Sequence, residues 1–228
     1  MADLVAQLGV HPATIRRDLN ALEQQGTLKR VHGGAVAVNE ATPESACDPA
    51  TTQAARIGQA AAKMIADGET VFLDAGKLSQ EVARCLVTRS RLTIITNGLE
   101  VANWMAAHTS HTLIVTGGQV EGRDRALVGH LTRGALSGLR ADHVVMELGG
   151  VSALGGLTDD SLQQAEITRL LLEFGAQIIV LVPVERVGRV AAAYIAPAAE
   201  ADVVVTAREA PSPFLWDLSE AGVGVVLA

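Results

Sequence analysis

Two stretches of this sequence carry residues whose types and spacing can do chemistry. In the first, Thr14, Arg16, Arg17 and Asn20 are interleaved with Ile15, Leu19 and Leu22. The three apolar residues recur at helical spacing, so the polar ones point away from the buried face. Arginine can grip a guanine edge with two hydrogen bonds, and threonine and asparagine can contact phosphates or bases. His11 stands just ahead of Pro12, where a helix would open. The run Leu28-Lys29-Arg30-Val31-His32-Gly33-Gly34-Ala35-Val36 follows. It reads as a tight hairpin with Lys29 and Arg30 on the way in and His32 and Gly33 near the tip. Such a wing would touch backbone phosphates or the minor groove. A small amphipathic helix pair with a surface charge cluster would produce the same spacing.

The second stretch holds three turns, each directly after an apolar run. They are Asp74-Ala75-Gly76-Lys77-Leu78-Ser79, Thr96-Asn97-Gly98 and Thr116-Gly117-Gly118. Backbone amides at a helix start hold anions, and Gly76 with Ser79 opening the next helix is the best place for one. Lys77 would add a point charge for a phosphate. Packing alone would also account for glycine-rich turns.

The elements that must position these groups are legible. Asp3 to Leu8 reads as a short helix ended by Gly9, and a second runs from Pro12 to about Gln25 before Gly26. Residues 39–53, with Pro43 and Pro49, read as a linker. Beyond it lie β-branched runs at Thr70–Leu73, Leu92–Thr96, Thr112–Thr116, His143–Glu147, Gln177–Val182, Asp202–Thr206 and Gly222–Leu227. Continuous runs with little alternation are strands buried on both faces. Helical stretches separate most of them: Ala54–Ala66, Ser79–Leu86, Leu99–Ala107, Leu131–Leu139, Leu162–Phe174 and Pro213–Ala221. The alternation predicts an α/β fold, a mostly parallel sheet with helices on both faces. Ligands in such folds gather at the carboxyl ends of the strands. The domains expected are a DNA-binding head over 1–38, a linker over 39–53 and an effector-sensing α/β domain over 54–228.

The composition fits. Of 228 residues, 49% are apolar and only 3% aromatic, so small aliphatic side chains build the interior. The net charge of −7 excludes a protein that coats nucleic acid along its whole length. It leaves room for a local basic patch on an acidic body. Cys47 and Cys85 form no CxxC pair and read as ordinary thiols. His108 and His111, the one close histidine pair, lack a third ligand, so no metal is expected. No cofactor is called for. Nothing resembles a signal peptide or a membrane span, which points to a cytoplasmic location and no membrane partner.

The run Thr14-Ile15-Arg16-Arg17-Asp18-Leu19, then Leu22-Glu23, Gly26 and Val31-His32-Gly33-Gly34-Ala35, closely resembles the head of the DeoR family of bacterial repressors. From about Arg56 onward the chain resembles that family's sensor domain, which is related in fold to sugar-phosphate isomerases. The matches there include Asp67-Gly68, Asp74-Ala75-Gly76, Thr96-Asn97, Gly117-Gly118, Val128-Gly129, Asp142, Gly156-Leu157-Thr158 and Ala165-Glu166. The resemblance implies a winged helix-turn-helix head, here without the family's first helix, and a pocket for a phosphorylated sugar or similar metabolite. Filling the pocket would release the protein from operator DNA. It also implies that Asp18 orients one of the arginines.

Three departures stand out. Lys77-Leu78 replace small hydroxyl residues after Gly76. Thr168 stands where the family has Lys, and Pro183-Val184-Glu185-Arg186 replaces an Asp-X-Ser-Lys turn. Arg186 can still bind a phosphate, with fork geometry.

The expected protein is therefore a transcriptional repressor rather than an enzyme. Operator DNA and a small effector are its partners, and a homodimer or homotetramer would pair its heads across half-sites. The effector site expected is Asp74, Gly76, Lys77, Ser79, Thr96, Asn97, Gly98, Gly117, Gly118, Glu166 and Arg186. The DNA contacts expected are His11, Thr14, Arg16, Arg17, Asn20, Lys29, Arg30, His32 and Gly33. The competing classes are an isomerase- or transferase-like enzyme built on Asp74, Glu166 and Lys77, and a sensor-only regulator with a non-functional head.

Overall fold

The computed structural model describes residues 10–24, 28–31, 34–37 and 52–228. The expected helix Asp3–Leu8, the hairpin tip at His32 and Gly33, and nearly all of the linker lie outside them. The chain divides into two compact units, Met1–Ser45 and Ala46–Ala228.

In the first unit, helix α1 (Pro12–Gln24) is followed by an antiparallel hairpin of β1 (Leu28–Val31) and β2 (Gly34–Ala37), with Lys29 opposite Val36 and Arg30 opposite Ala35. Pro12 sits in the first turn, where its missing N–H costs nothing. The His11 ring caps the helix start: its Nδ1 accepts from the Ala13 N–H at 3.3 Å. Ile15 is buried and Leu19 half-buried, so the apolar stripe faces inward as its period requires.

The second unit opens with α2 (Gln53–Ala62), capped by Thr52 Oγ1, which accepts from the Ala55 N–H at 3.1 Å. Then come β3 (Thr70–Leu73), α3 (Lys77–Leu86), β4 (Thr93–Thr96), α4 (Leu99–His108), β5 (Thr112–Val115) and the hairpin of β6 (Gln119–Glu121) and β7 (Ala126–Val128). After α5 (His130–Leu136) come β8 (Ala141–Glu147), β9 (Gly150–Ser152), β10 (Gly156–Asp159), α6 (Leu162–Leu172) and β11 (Gly175–Leu181). The chain ends with β12 (Ala193–Ala196), β13 (Val203–Thr206), α7 (Ser212–Glu220) and β14 (Gly224–Leu227).

The main sheet has seven strands in the order β14-β13-β11-β8-β3-β4-β5, all pairs parallel. Successive side chains go to opposite faces, and the core splits accordingly. Val71, Leu73, Ile94, Val145 and Ile179 pack with α2, α3 and α4 on one face. Phe72, Ile95, Val144, Met146 and Val180 pack with α5, α6 and α7 on the other. A fully buried strand needs no polar alternation, which is why these segments read as continuous apolar runs. β9, β10 and β12 form a small separate antiparallel sheet with the strands in the spatial order β12-β10-β9. From β3 the chain winds through β4 and β5 to one edge, and from β8 through β11, β13 and β14 to the other. The strand order therefore reverses between β3 and β8, and a crevice opens at the carboxyl end of such a switch point.

Two further facts bear on the expectations. Cys85, expected as an ordinary thiol, is disulfide-bonded, and Cys47 lies outside the described residues. Among the described residues, no helix is long and apolar enough to cross a membrane.

Candidate functional site

At the switch point the ends of β3, β4 and β8 bring three loops together. Asp74, just past β3, is buried, and its Oδ1 accepts from the Ala75 N–H at 2.8 Å. Asn97, just past β4, offers its Oδ1 to that same N–H at 3.1 Å. Burial pushes the Asp74 carboxyl up to about 7, against the pull of the Asn97 and Ala75 hydrogen bonds. Thr96 braces the same corner. Its hydroxyl donates to the Leu73 carbonyl at 2.6 Å and accepts from the Gly98 N–H at 2.9 Å. Gly98 must be small, because a Cβ there would come within 2.9 Å of Ala75 Cα.

Gly76 holds a φ of +138° and leads straight into α3, which has no side-chain cap of its own. The cap comes from across the sheet. Glu147, at the end of β8, accepts from the Leu78 N–H through Oε2 at 2.9 Å. Its Oε1 accepts from Arg186 Nη1 at 3.0 Å, and the same nitrogen donates to the Leu148 carbonyl at 3.0 Å. Burial raises the Glu147 carboxyl, while the Leu78 N–H and Arg186 pull it back. Asp159, at the end of β10, is buried and likewise raised by desolvation, although it accepts from the Ser161 N–H at 2.8 Å. Neighbouring Asp160 is lowered by a two-pronged contact with Arg189, at 2.9 and 2.6 Å. Ser161 caps α6, accepting from the Gln164 N–H at 3.2 Å.

Of these groups, Ala75, Glu147, Asp159, Asp160, Ser161, Gln164 and Arg186 line a polar cavity of about 240 Å³. Carboxylates, hydroxyl and amide there can bond the hydroxyls of a small polyol, the arrangement of a binding pocket with a few convergent polar groups. Among the described residues, no cluster of three or more His, Cys, Asp or Glu could hold a metal ion.

Of the expected effector residues, Asp74, Gly76, Thr96, Asn97, Gly98 and Arg186 meet at this corner. Lys77 opens α3 with its side chain exposed. Ser79 is fully buried on α3, its Oγ without a hydrogen-bond partner. Gly117 and Gly118 lie elsewhere. Thr132 Oγ1 donates to the Gly117 carbonyl at 2.8 Å, and a Cβ on Gly118 would stand 2.6 Å from the Val128 carbonyl, so Gly118 is the glycine that lets this turn pack on β7 and α5. Glu166 is on the exposed side of α6, 3.8 Å from Arg133, because Ala165, Ile167 and Thr168 take the buried side.

Glu147, Asp159, Asp160 and Arg189 were not among the residues expected from sequence. A carboxylate closing a buried strand was the available signal for Glu147. Only the pairing of β8 with β3 brings it to α3.

On α1, Arg17 is exposed and lies 3.8 Å from Asp18, and His11 and Asn20 are exposed as well, while Thr14 is half-buried. The backbones of Arg16, Lys29 and Arg30 fall on α1 and β1 as expected.

The family model of the DeoR-like helix-turn-helix domain matches residues 1–41, and that of the DeoR C terminal sensor domain matches residues 50–208. The chain is 31% identical over 214 residues to the glycerol-3-phosphate regulon repressor of Escherichia coli (strain K12), covering 92% of this chain and 84% of that protein. It is 30% identical over 225 residues to the HTH-type transcriptional regulator GolR of Listeria innocua serovar 6a, covering 97% of this chain and 89% of that one. Among solved structures, ribose 5-phosphate isomerase A from Methanocaldococcus jannaschii aligns over 57% of this chain at 13% identity, with a TM-score of 0.42. This chain spans about half of that enzyme, 51%.

Proposed function

The chain belongs to the DeoR family of transcription regulators, and on that premise we propose that it is a repressor whose hold on operator DNA is set by a small, hydroxyl-rich, sugar-type metabolite. The metabolite binds in the cavity at the β3–β8 switch point. The observation that carries the reading is the pairing in one chain of a head helix bearing exposed Arg17 with a sensor body whose strand ends converge on a polar cavity. A relative named for the glycerol-3-phosphate regulon supports a small hydroxylated effector.

In this reading Arg16, Arg17, Thr14 and Asn20 face the major groove from α1. Lys29, Arg30, His32 and Gly33 approach the phosphates from the wing, and His11 closes the helix start near the backbone. A single head reaches few bases, so the working form is a homodimer or homotetramer that sets two heads on adjacent half-sites. Asp159, Ser161 and Gln164 take the effector's hydroxyls from the cavity wall, and Asp74 and Asn97 hold the Ala75 loop that forms part of that wall.

A mobility-shift assay tests this with DNA from upstream of the protein's own gene, in the presence of a panel of sugars, sugar alcohols and their phosphates. A retarded complex released by at least one compound is the expected result. The absence of any retarded complex with upstream DNA would overturn the repressor reading.

One observation favours a second reading. A buried carboxyl near 7, such as Asp74, can move a proton, as isomerase-type chemistry on a sugar phosphate would need. Sustained turnover abolished in Asp74→Asn would establish it. We take the site as a binding site, because a catalyst has no use for the head.

A further inference from the structure

Building on the effector reading above, we propose that Glu147 fills from within the chain the seat that an effector's phosphate would occupy, and that the effector is a hydroxyl-rich compound without a phosphate. The first turn of a helix presents N–H groups with no partner inside the helix, and such ends attract anions. At α3 one of those groups, the Leu78 N–H, is already bonded to Glu147 Oε2 at 2.9 Å. The other oxygen holds Arg186 at 3.0 Å. Glu147 thus engages at once the helix amide and the guanidinium, the two kinds of group that would grip a phosphate there.

The seat is also closely filled. The glutamate side chain is 12% exposed, and a Cβ on Gly76 would stand only 2.6 Å from its Oε2. A phosphate could bond the Leu78 N–H only after Glu147 had left. Leu78 is itself buried in the apolar cluster, so its N–H opens only toward the place that Glu147 Oε2 holds.

The charge of the cavity wall points the same way. Asp124, Glu147, Asp159 and Asp160 line it, and Arg186 is the one cation among the described lining residues. Arg186 is engaged by Glu147 and Arg189 by Asp160, which leaves Asp124 and Asp159 to face a doubly charged phosphate in a half-buried space, where like charges repel. Hydroxyl groups would donate to the same carboxylates, and an amino group would be welcome. The class selected is a neutral or cationic polyol.

Calorimetric titration of inorganic phosphate into the full chain tests this, with wild type beside Glu147→Ala and Glu147→Gln. Wild type should bind phosphate no tighter than about 10 mM. Glu147→Ala frees both the amide and Arg186, and it should bind about tenfold tighter or better, a gain that Arg186→Ala then removes. Saturable phosphate binding by wild type at lower concentration would overturn the proposal. So would a folded Glu147→Ala, checked by a cooperative melt, that gains no phosphate affinity. If that variant does not fold, the near-isosteric Glu147→Gln and wild type decide between the same two outcomes. Operator binding by the same wild-type sample reports separately on the repressor reading, which can fail while the phosphate result stands.

Discussion

Asp74 and Asn97 reach one backbone amide from the ends of two neighbouring strands, at 2.8 and 3.1 Å from the Ala75 nitrogen. The shared N–H ties the carboxyl end of β3 to that of β4 and fixes where the β3 loop turns toward the cavity. It also places a carboxyl where water does not solvate it, which gives the site a measurable pH signature.

The Asp74 carboxyl titrates near 7 in the folded chain against an ordinary value of 3.8. Folding therefore favours its neutral form. The stability this contributes is complete below about 3.8 and is lost as the pH rises through about 7. Asp74→Asn stays neutral at every pH and keeps an oxygen for the Ala75 N–H. Thermal melts should show the variant gaining on wild type between about pH 5 and about pH 8, by on the order of 2 kcal/mol. A constant difference across that range would mean the carboxyl is not held neutral.

Gly76 combines a φ of +138° with a close approach to Glu147 Oε2. In Gly76→Ala the backbone is strained, and the glutamate must leave the Leu78 N–H. The expected cost is about 1–3 kcal/mol in a denaturant titration. Wild-type stability in this variant would remove Glu147 as the cap of α3.

Helices α2 and α3 pack through Gly58. A Cβ there would stand 2.5 Å from Glu81 Cβ and 2.7 Å from its carbonyl carbon. Because backbone blocks the way, Gly58→Ala should push the helices apart and cost about 1–3 kcal/mol. The melting temperature should fall by several degrees, and an unchanged melt would contradict this packing.

Much of the architecture was legible because the strands are buried on both sides. Val71, Phe72 and Leu73 are all fully buried, so the segment has no polar alternation to blur it. β9 and β10 were not legible. They are short, built from Gly150-Val151-Ser152 and Gly156-Leu157-Thr158-Asp159, and their composition is that of a turn. Strand order depends on long-range pairing, such as Leu73 with Val145, which local periodicity does not encode. The site is therefore half visible in sequence. The loop residues Asp74, Gly76 and Asn97 announce themselves by following apolar runs. Glu147 and Asp159 join them only through the pairing of distant strands. Glu166 shows the converse, since the same helical period that buries Ala165 and Ile167 turns it outward.

The central claim is that this head reads DNA, and fluorescence anisotropy across a salt series tests it most directly. The probe is DNA from upstream of the protein's own gene and its neighbours, titrated with wild type and Arg17→Ala. Arg17 is exposed on α1, so its loss should leave the fold intact. Wild type should bind tightly, with affinity falling steeply as salt rises. Arg17→Ala should bind about tenfold more weakly, with a shallower salt slope if the lost contact is to phosphate. Equal binding by the two proteins, or no binding by either, would contradict the account.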